Sequence, residues 1–525
     1  MSIERHASSF TFLLGILFLR EITAAGFEYP SEIEMEGTPQ SYDVIVVGSG
    51  LAGLAAAIEA ADAGVSVALL EKESRNGGNS AKASSGMNSV GSEAQKSFHI
   101  DDSIDKFIAD TLRSGEYLSN TALVDILAKQ SKDALEFLIR EGRNETLRMD
   151  DVIICGGHSV ARTHRSKPDP SGKPGPNVGW EIVSTLLKRV KERPGVHVLS
   201  GVKVVDLIVT EADGVVGVMY HLLNESGSGG GELHRLFGRA VILATGGYSA
   251  DRKGFLAEYA PRISDLPTTN GPFALGEGIK MALRIGAEAI DLDKVQVHPT
   301  AFVDPKEPLA GTQFLAPEAF RGAGGILLNV KGERFVNELG RRKDVVDAIM
   351  YQQVEGSPMA FAYLVLNSAA RDRHGAGTLS FYESKGFFQS YENVAAFANA
   401  INIVPEMLQR TLLEYGRLDS DPYGKTVFPT LFSPPDEKLW VAKITPAIHY
   451  CMGGLRISEN TEVLLKGELR KPIKGLYAAG EVSGGVHGSN RLAGNSLLEC
   501  TVFGRIAGLQ AAAYVHSTTS PKAAL

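Results

Sequence analysis

Residues 42–73, YDVIVVGSGLAGLAAAIEAADAGVSVALLEKE, constrain the fold more than any other stretch. Val44–Val47 is an apolar β-branched run suited to a strand buried on both faces. Gly48, Gly50 and Gly53 follow in G-x-G-x-x-G spacing, the Ala-rich segment Leu51–Ala63 favours a helix, and Val65–Leu70 is a second apolar run closed by Glu71. This is a βαβ unit carrying a dinucleotide fingerprint. Gly48 permits the tight turn, Gly50 lets the backbone approach a pyrophosphate, and Gly53 lets the helix pack on the strand. The free N–H groups of the helix start, at Leu51 and Ala52, face the phosphates. Glu71, with Lys72 beside it, is placed to meet a ribose. By itself this unit leaves NAD and FAD equally open.

More small-residue segments follow. Gly77-Gly78-Asn79-Ser80 and Ser84-Ser85-Gly86-Met87-Asn88 read as a loop passing close to a flat ligand. A buried strand over Arg239–Leu243 ends in Ala244-Thr245-Gly246-Gly247, and Gly475-Leu-Tyr-Ala-Ala-Gly480-Glu481 is a strand running into a turn. A last helix over Leu497–Val515 is opened by Asn495 and Ser496. Residues 291–447 differ in texture, with mixed short elements and many loops, and read as an inserted α+β domain. Ile100–Glu141 reads as two amphipathic helices broken near Ser114-Gly115. His158, Arg162, His164 and Arg165 lie within eight residues and are read as the mouth of an active site.

Composition sets limits. The net charge of −8 argues against a nucleic-acid partner. Three cysteines, Cys155, Cys451 and Cys500, make no disulfide framework, and no Cys/His spacing suggests a metal, an iron–sulfur cluster or c-type haem. The apolar run Phe10–Leu19 follows Arg5 and His6 and precedes small residues near Ala25. Residues 1–25 are therefore expected to be a signal peptide, or alternatively a retained anchor, with 26–40 an acidic linker. This points to the secretory pathway and endoplasmic reticulum, with the mitochondrion as the alternative, and to no integral membrane span in the mature chain.

These motifs, with GGHSVARTHR, VQVHPT, EAFRG, GERFVNE, HYCMGG and AAGEVSGGVHGSNRLAGNS in the same order, resemble the soluble fumarate reductase flavoproteins, relatives of the succinate dehydrogenase flavoprotein subunit. The resemblance covers nearly all of 41–515. It implies an α/β fold: a Rossmann-like FAD-binding domain over 41–290 and 448–525, with an inserted α+β capping (clamp) domain over 291–447. It implies FAD held by Gly48, Gly50, Leu51, Ala52, Gly53, Glu71, Lys72, Gly78, Asn79, Ser80, Ser85, Gly86, Thr245, Gly246, Gly480, Glu481, Asn495, Ser496 and Leu497. No histidine lies between Glu71 and Gly91, so this loop offers no histidyl link and the FAD is expected to be non-covalent.

The resemblance further implies reduction of fumarate to succinate, with hydride from reduced flavin N5. His298, His449 and Arg491 correspond to substrate-carboxylate ligands, Arg342 to the proton donor, and Glu318 with Arg321 to the relay that reprotonates it. Arginine suits a dianion, because its planar fork grips carboxylates in pairs of bonds. With no haem or iron–sulfur motif, the expected electron source is a diffusible donor, reduced flavin or NADH. The sequence departs from the family twice. Pro317 stands where a threonine often donates to substrate, which leaves open a reductase of another α,β-unsaturated carboxylate or an aspartate oxidase-like enzyme. NELGRRKD also has one residue more than the common spacing, so Arg342 and Lys343 both compete for the proton-donor position.

Overall fold

The computed structural model describes residues 41–143, 147–167, 177–223, 232–352, 356–417, 420–467 and 471–519. The expectations for residues 1–40 lie outside the described residues.

The apolar run forms a strand, Ser41–Val47, in the middle of an eight-stranded sheet. It pairs in parallel with Val67–Glu71, Val44 opposite Val67 and Val46 opposite Leu69, and with Leu233–Leu243, Ile45 opposite Val241. Val196–Ser200 extends the parallel array on one side and Pro472–Ala478 on the other. An antiparallel hairpin, Val202–Thr210 and Gly214–Leu222, leads into Leu233–Leu243. Val44, Ile45 and Val46 are wholly buried, as a central strand covered on both faces must be.

The helix Leu51–Asp62 packs against the C-terminal helix Asn495–Thr519 through small residues. A Cβ on Gly504 would lie 2.5 Å from the Ala52 carbonyl oxygen, and one on Gly508 would lie 2.3 Å from that of Ala56. The two helices therefore approach backbone to backbone. In this way a segment some 450 positions downstream is locked onto the fingerprint helix.

A second sheet of five strands is antiparallel and includes Val295–Phe302, Leu439–Cys451, Ala362–Asn367 and Ile326–Leu328. One of its faces buries Phe302, Phe320, Leu327, Leu364 and Ile444, and the other buries Ile326, Val365, Phe397, Leu408 and Phe432. The first core contains Tyr42–Leu292 and Ile448–Val515 members, so the apolar clusters change identity close to residues 292–302 and 444–448. The fold is thus a Rossmann-like α/β body with an α+β body inserted in it. The 13-residue strand Leu439–Cys451 carries the chain back from the second core to the first.

One helical expectation is corrected. Ile104–Ser114 ends at Gly115 as read, but the following stretch is two helices, Thr121–Lys129 and Ser131–Glu141. At the join, the Ser131 hydroxyl accepts a bond from the Val90 N–H, a tertiary tie invisible in the local pattern.

Candidate active site

The glycine fingerprint folds as its spacing dictates. Gly48 has φ +107°, and a Cβ there would lie 2.4 Å from the Ala244 carbonyl oxygen, so only glycine fits between the two parallel strands. A cleft of about 1570 Å³, mouth included, opens beside this turn. Gly48, Gly50, Leu51, Ala52, Glu71, Lys72, Gly78, Asn79, Ser80, Ser85, Gly86, Thr245, Gly246, Gly480, Glu481, Ser496 and Leu497 all line it.

Two of the expected cofactor contacts do not. Gly53 is spent on packing: a Cβ there would stand 1.9 Å from the Gly48 carbonyl oxygen. Asn495 is fully buried, its Oδ1 accepting from Asn88 at 2.7 Å and its Nδ2 facing Thr111. Glu71 lines the cleft while already engaged: Ser49 donates to it from its N–H and hydroxyl, at 2.9 and 2.5 Å, and the Glu73 N–H donates at 2.9 Å. The lysine beside it, Lys72, pairs with Glu277 and donates to the Phe273 carbonyl.

His298, Arg342, His449 and Arg491 line the same cleft. They come from four separate segments. His298 sits between two register shifts in the strand Val295–Phe302, irregularities of the kind that re-aim side chains. His449 lies two residues before the end of the strand Leu439–Cys451, Arg342 opens the helix Arg342–Tyr351, and Arg491 lies in the loop before the C-terminal helix.

Glu318 is wholly buried behind them. Its Oε2 accepts from Arg342 Nε and Nη2, both at 2.8 Å, and its Oε1 accepts from the Gly156 N–H at 2.7 Å. Arg321 Nη2 is 3.6 Å from Oε1, and its Nη1 donates to the Glu338 carbonyl at 2.5 Å. Burial pushes the Glu318 carboxyl up, but the Arg342 and Arg321 guanidiniums outweigh this and hold it well below the usual carboxylate range. Arg342 Nη1 also donates to Gln296 at 2.6 Å. Its neighbour Lys343 points away, to Asp347 at 2.8 Å, and is half exposed. Glu318 and Arg321 do not reach the cleft surface themselves.

The histidines are neutral. Burial, then the charge of Arg342, lowers His298 to about 3, and its Nε2 is buried with no hydrogen-bond partner among the described residues, 3.7 Å from Glu318. Burial, then His298 and the two arginines, lowers His449 well below its ordinary value. His449 Nδ1 bonds the Thr269 hydroxyl at 2.7 Å, and the two rings lie 4.9 Å apart. Arg491 is lowered to about 10 by burial and by Arg342.

The basic run at 158–165 is corrected. Arg162 is fully buried and clamps Asp102 at 2.8 and 2.9 Å and Asp110 at 2.6 Å. His158 bonds the Ala493 carbonyl, His164 the Ser92 hydroxyl, and Arg165 pairs with Asp151. None of the four lines the cleft. The two arginines are met by Asp102, Asp110 and Asp151, the two histidines by a carbonyl and a hydroxyl, and the Gly156 N–H just before the run reaches the site through Glu318.

Sequence reasoning missed Thr269, Asn270, Tyr450 and Gln296. Asn270 donates to the His449 carbonyl at 2.8 Å, and Asn79 donates to Asn270 at 2.5 Å. Thr268-Thr-Asn-Gly271 is a cluster of small polar turn residues, the one local signal that marked a ligand-facing loop there. Among the described residues no helix is long and apolar enough to cross a membrane, and no cluster of His, Cys, Asp and Glu could hold a metal ion.

Comparison with known proteins agrees with this geometry. An FAD binding domain family model matches residues 43–497. Fumarate reductase 1 of Saccharomyces cerevisiae is 42% identical over 480 residues, 88% of this chain and 97% of that protein. Fumarate reductase of Schizosaccharomyces pombe is 37% identical over 518 residues, 96% of each chain. Among solved structures, the open conformation of a flavocytochrome c3 fumarate reductase matches with TM-score 0.70 and 33% identity, covering 95% of this chain and 81% of that one.

Proposed function

The chain belongs to the FAD-dependent fumarate reductase flavoprotein family, and from that premise we propose that it reduces fumarate to succinate with Arg342 as proton donor. It is an oxidoreductase acting on CH–CH groups, and its cofactor is FAD. The cleft suits that cofactor: glycine backbone lines it at Gly48, Gly50, Gly78, Gly246 and Gly480, and Glu71 closes the adjacent strand.

The observation that carries the proposal is the convergence of Arg342, Arg491, His298 and His449 on the wall of that cleft. FAD, when bound, supplies a hydride to one alkene carbon. The protein's own groups do the rest. Arg491 and His449 donate to one carboxylate of the dianion, and His298, whose Nε2 has no hydrogen-bond partner among the described residues, donates to the other. Charge builds toward a carboxylate during reduction, and fixed donors in a water-poor cleft stabilise it without reorganising. Arg342 gives a proton to the second alkene carbon. A guanidinium is a very weak acid, so the transfer is to a strongly basic carbanion-like centre and is transient. Glu318, 2.8 Å away and ionised, then passes Arg342 a replacement proton drawn from solvent by way of Arg321, which stands behind it.

The test is anaerobic reduction of fumarate by the holoenzyme with NADH and reduced flavins compared side by side, as part of a panel of enoates. Succinate formation should dominate, with a diffusible donor sufficient. Fast turnover only of other enoates overturns the reading in favour of a sister reductase, which Pro317 favours because it offers no hydroxyl to a carboxylate. Entry into the secretory pathway through residues 1–25 belongs to the same proposal. Sequencing of the mature N-terminus near Ala25 and fractionation against mitochondria test it.

A further inference from the structure

Arg491 is buried in a way that the other interior arginines are not. Arg342 and Arg321 share Glu318, Arg162 is held by two aspartates, and Arg334 by Glu338 and Asp421. Arg491 is 3% exposed, yet among the described residues it makes no ion pair. Its Nη1 makes one long bond of 3.4 Å to the Leu492 carbonyl, and its Nε is buried without a partner among the described residues. Its guanidinium lies instead over the face of Tyr450, 4.3 Å from the ring centroid.

That arrangement has a chemical consequence. A carboxylate partner would neutralise the arginine and occupy its N–H donors. A ring face attracts the cation through its quadrupole and leaves the in-plane donors free. The ring itself is fixed. The Tyr450 hydroxyl donates to the Glu499 carboxylate, which also bonds His487 Nε2 at 3.0 Å, and the His487 ring meets Tyr450 edge-on at 5.7 Å. Tyr450, Glu499 and His487 are 4%, 1% and 2% exposed. Burial and the Glu499 charge raise the phenol well above its ordinary value, so the hydroxyl keeps its proton and goes on donating. Donation to an anion also enriches the ring face in electron density. Glu499 belongs to the first turns of the C-terminal helix, and His487 to the loop that bears Arg491, so the platform ties both to the strand end at Tyr450.

We propose that Tyr450, anchored by Glu499 and His487, is the positioning residue that holds Arg491 unpaired and ready for a substrate carboxylate. This rests on the reading above that Arg491 binds a dicarboxylate. The FAD-loaded protein is titrated with succinate, followed by the change in flavin absorbance, and fumarate kinetics are run with reduced flavin as donor. Tyr450→Leu, and Tyr450→Met as a variant closer in volume, should weaken succinate binding and raise the fumarate KM by roughly ten- to thirtyfold, with kcat within about threefold. Tyr450→Phe keeps the face and should restore binding to within about threefold. If the leucine variant does not fold, the methionine variant decides. FAD-loaded Leu or Met variants that bind succinate as the wild type does overturn the proposal, as does a phenylalanine variant as weak as they are. A wild-type holoenzyme that binds no dicarboxylate overturns the proposed function and this inference together; normal wild-type binding with no effect of the variants removes only the inference.

Discussion

Arg342 and Arg491 line one cleft and are held by opposite means. Arg342 rests on Glu318 by two bonds of 2.8 Å and on Gln296 by a third of 2.6 Å. Arg491 rests on the Tyr450 ring and makes no ion pair among the described residues. The difference separates two tasks that one residue type can perform. An arginine in contact with a carboxylate has a group beside it that can return a lost proton. An arginine without one keeps its charge and donors for an incoming anion. Burial is common to both, so it is the partner that distinguishes proton donor from anion binder.

Substitutions should expose that division. Arg342→Ala removes the proton donor and should lower kcat by about 10⁴-fold, the upper range for a positioned proton transfer, while the flavin absorbance shows FAD still bound. Unchanged turnover removes Arg342 from the mechanism. Glu318→Gln comes next. It leaves Arg342 and Arg321 buried without their counter-charge, so kcat should fall by about 10²–10³-fold, and thermal unfolding should report a loss of about 3–5 kcal/mol. Arg491→Ala should act on binding instead: the fumarate KM should rise by about 3 kcal/mol in free-energy terms, with kcat changing less. If Arg491→Ala lowers kcat as Arg342→Ala does, the two arginines are not divided in this way.

His298→Gln is a finer test. Free His298 titrates near 3, so at neutral pH it is uncharged and acts as a hydrogen-bonding group. Its lowered pKa puts the charged form below about pH 3, outside the working range. The variant should lose about tenfold in kcat/KM, in the range of a hydrogen bond to a charged group, and the shape of the kcat/KM–pH profile between 5.5 and 8 should stay as in the wild type. A limb that vanishes with the histidine would show that it titrates there.

The cofactor half was legible in the sequence because its chemistry is local. Gly48, Gly50, Gly78, Gly246 and Gly480 sit in short motifs whose spacing states their role, and each lines the cleft. Gly53 and Asn495 belong to the same motifs but serve packing, since a motif does not say which of its residues face outward. The substrate half depends on pairings across hundreds of residues. Arg162 looked like a free cation until Asp102 and Asp110 were placed beside it, whereas Arg491, in a similar setting on paper, makes no ion pair among the described residues. Tyr450 gave no signal because its importance lies in where Arg491 and Glu499 meet it, 41 and 49 positions later. Fold class was readable from the βαβ unit and the change of texture after residue 290, while the split helix at Gln130 rested on a tertiary bond to Val90.

The smallest expected effect concerns the residue next to the proton donor. Arg341, Arg342 and Lys343 are consecutive cations, and spacing alone lets either of the last two be counted as the acid. The helix beginning at Arg342 turns successive side chains by about 100°. Arg342 therefore points inward to Glu318, and Lys343 points to solvent, where it meets Asp347 one turn on. An exposed pair of this kind contributes about 0.3–0.5 kcal/mol. Lys343→Ala should shift the melting temperature slightly and leave fumarate kcat/KM within about twofold, measured beside Arg342→Ala on the same preparation. A loss from Lys343→Ala comparable to that from Arg342→Ala would transfer the proton-donor role by one position and undo the contrast between the paired and the unpaired arginine.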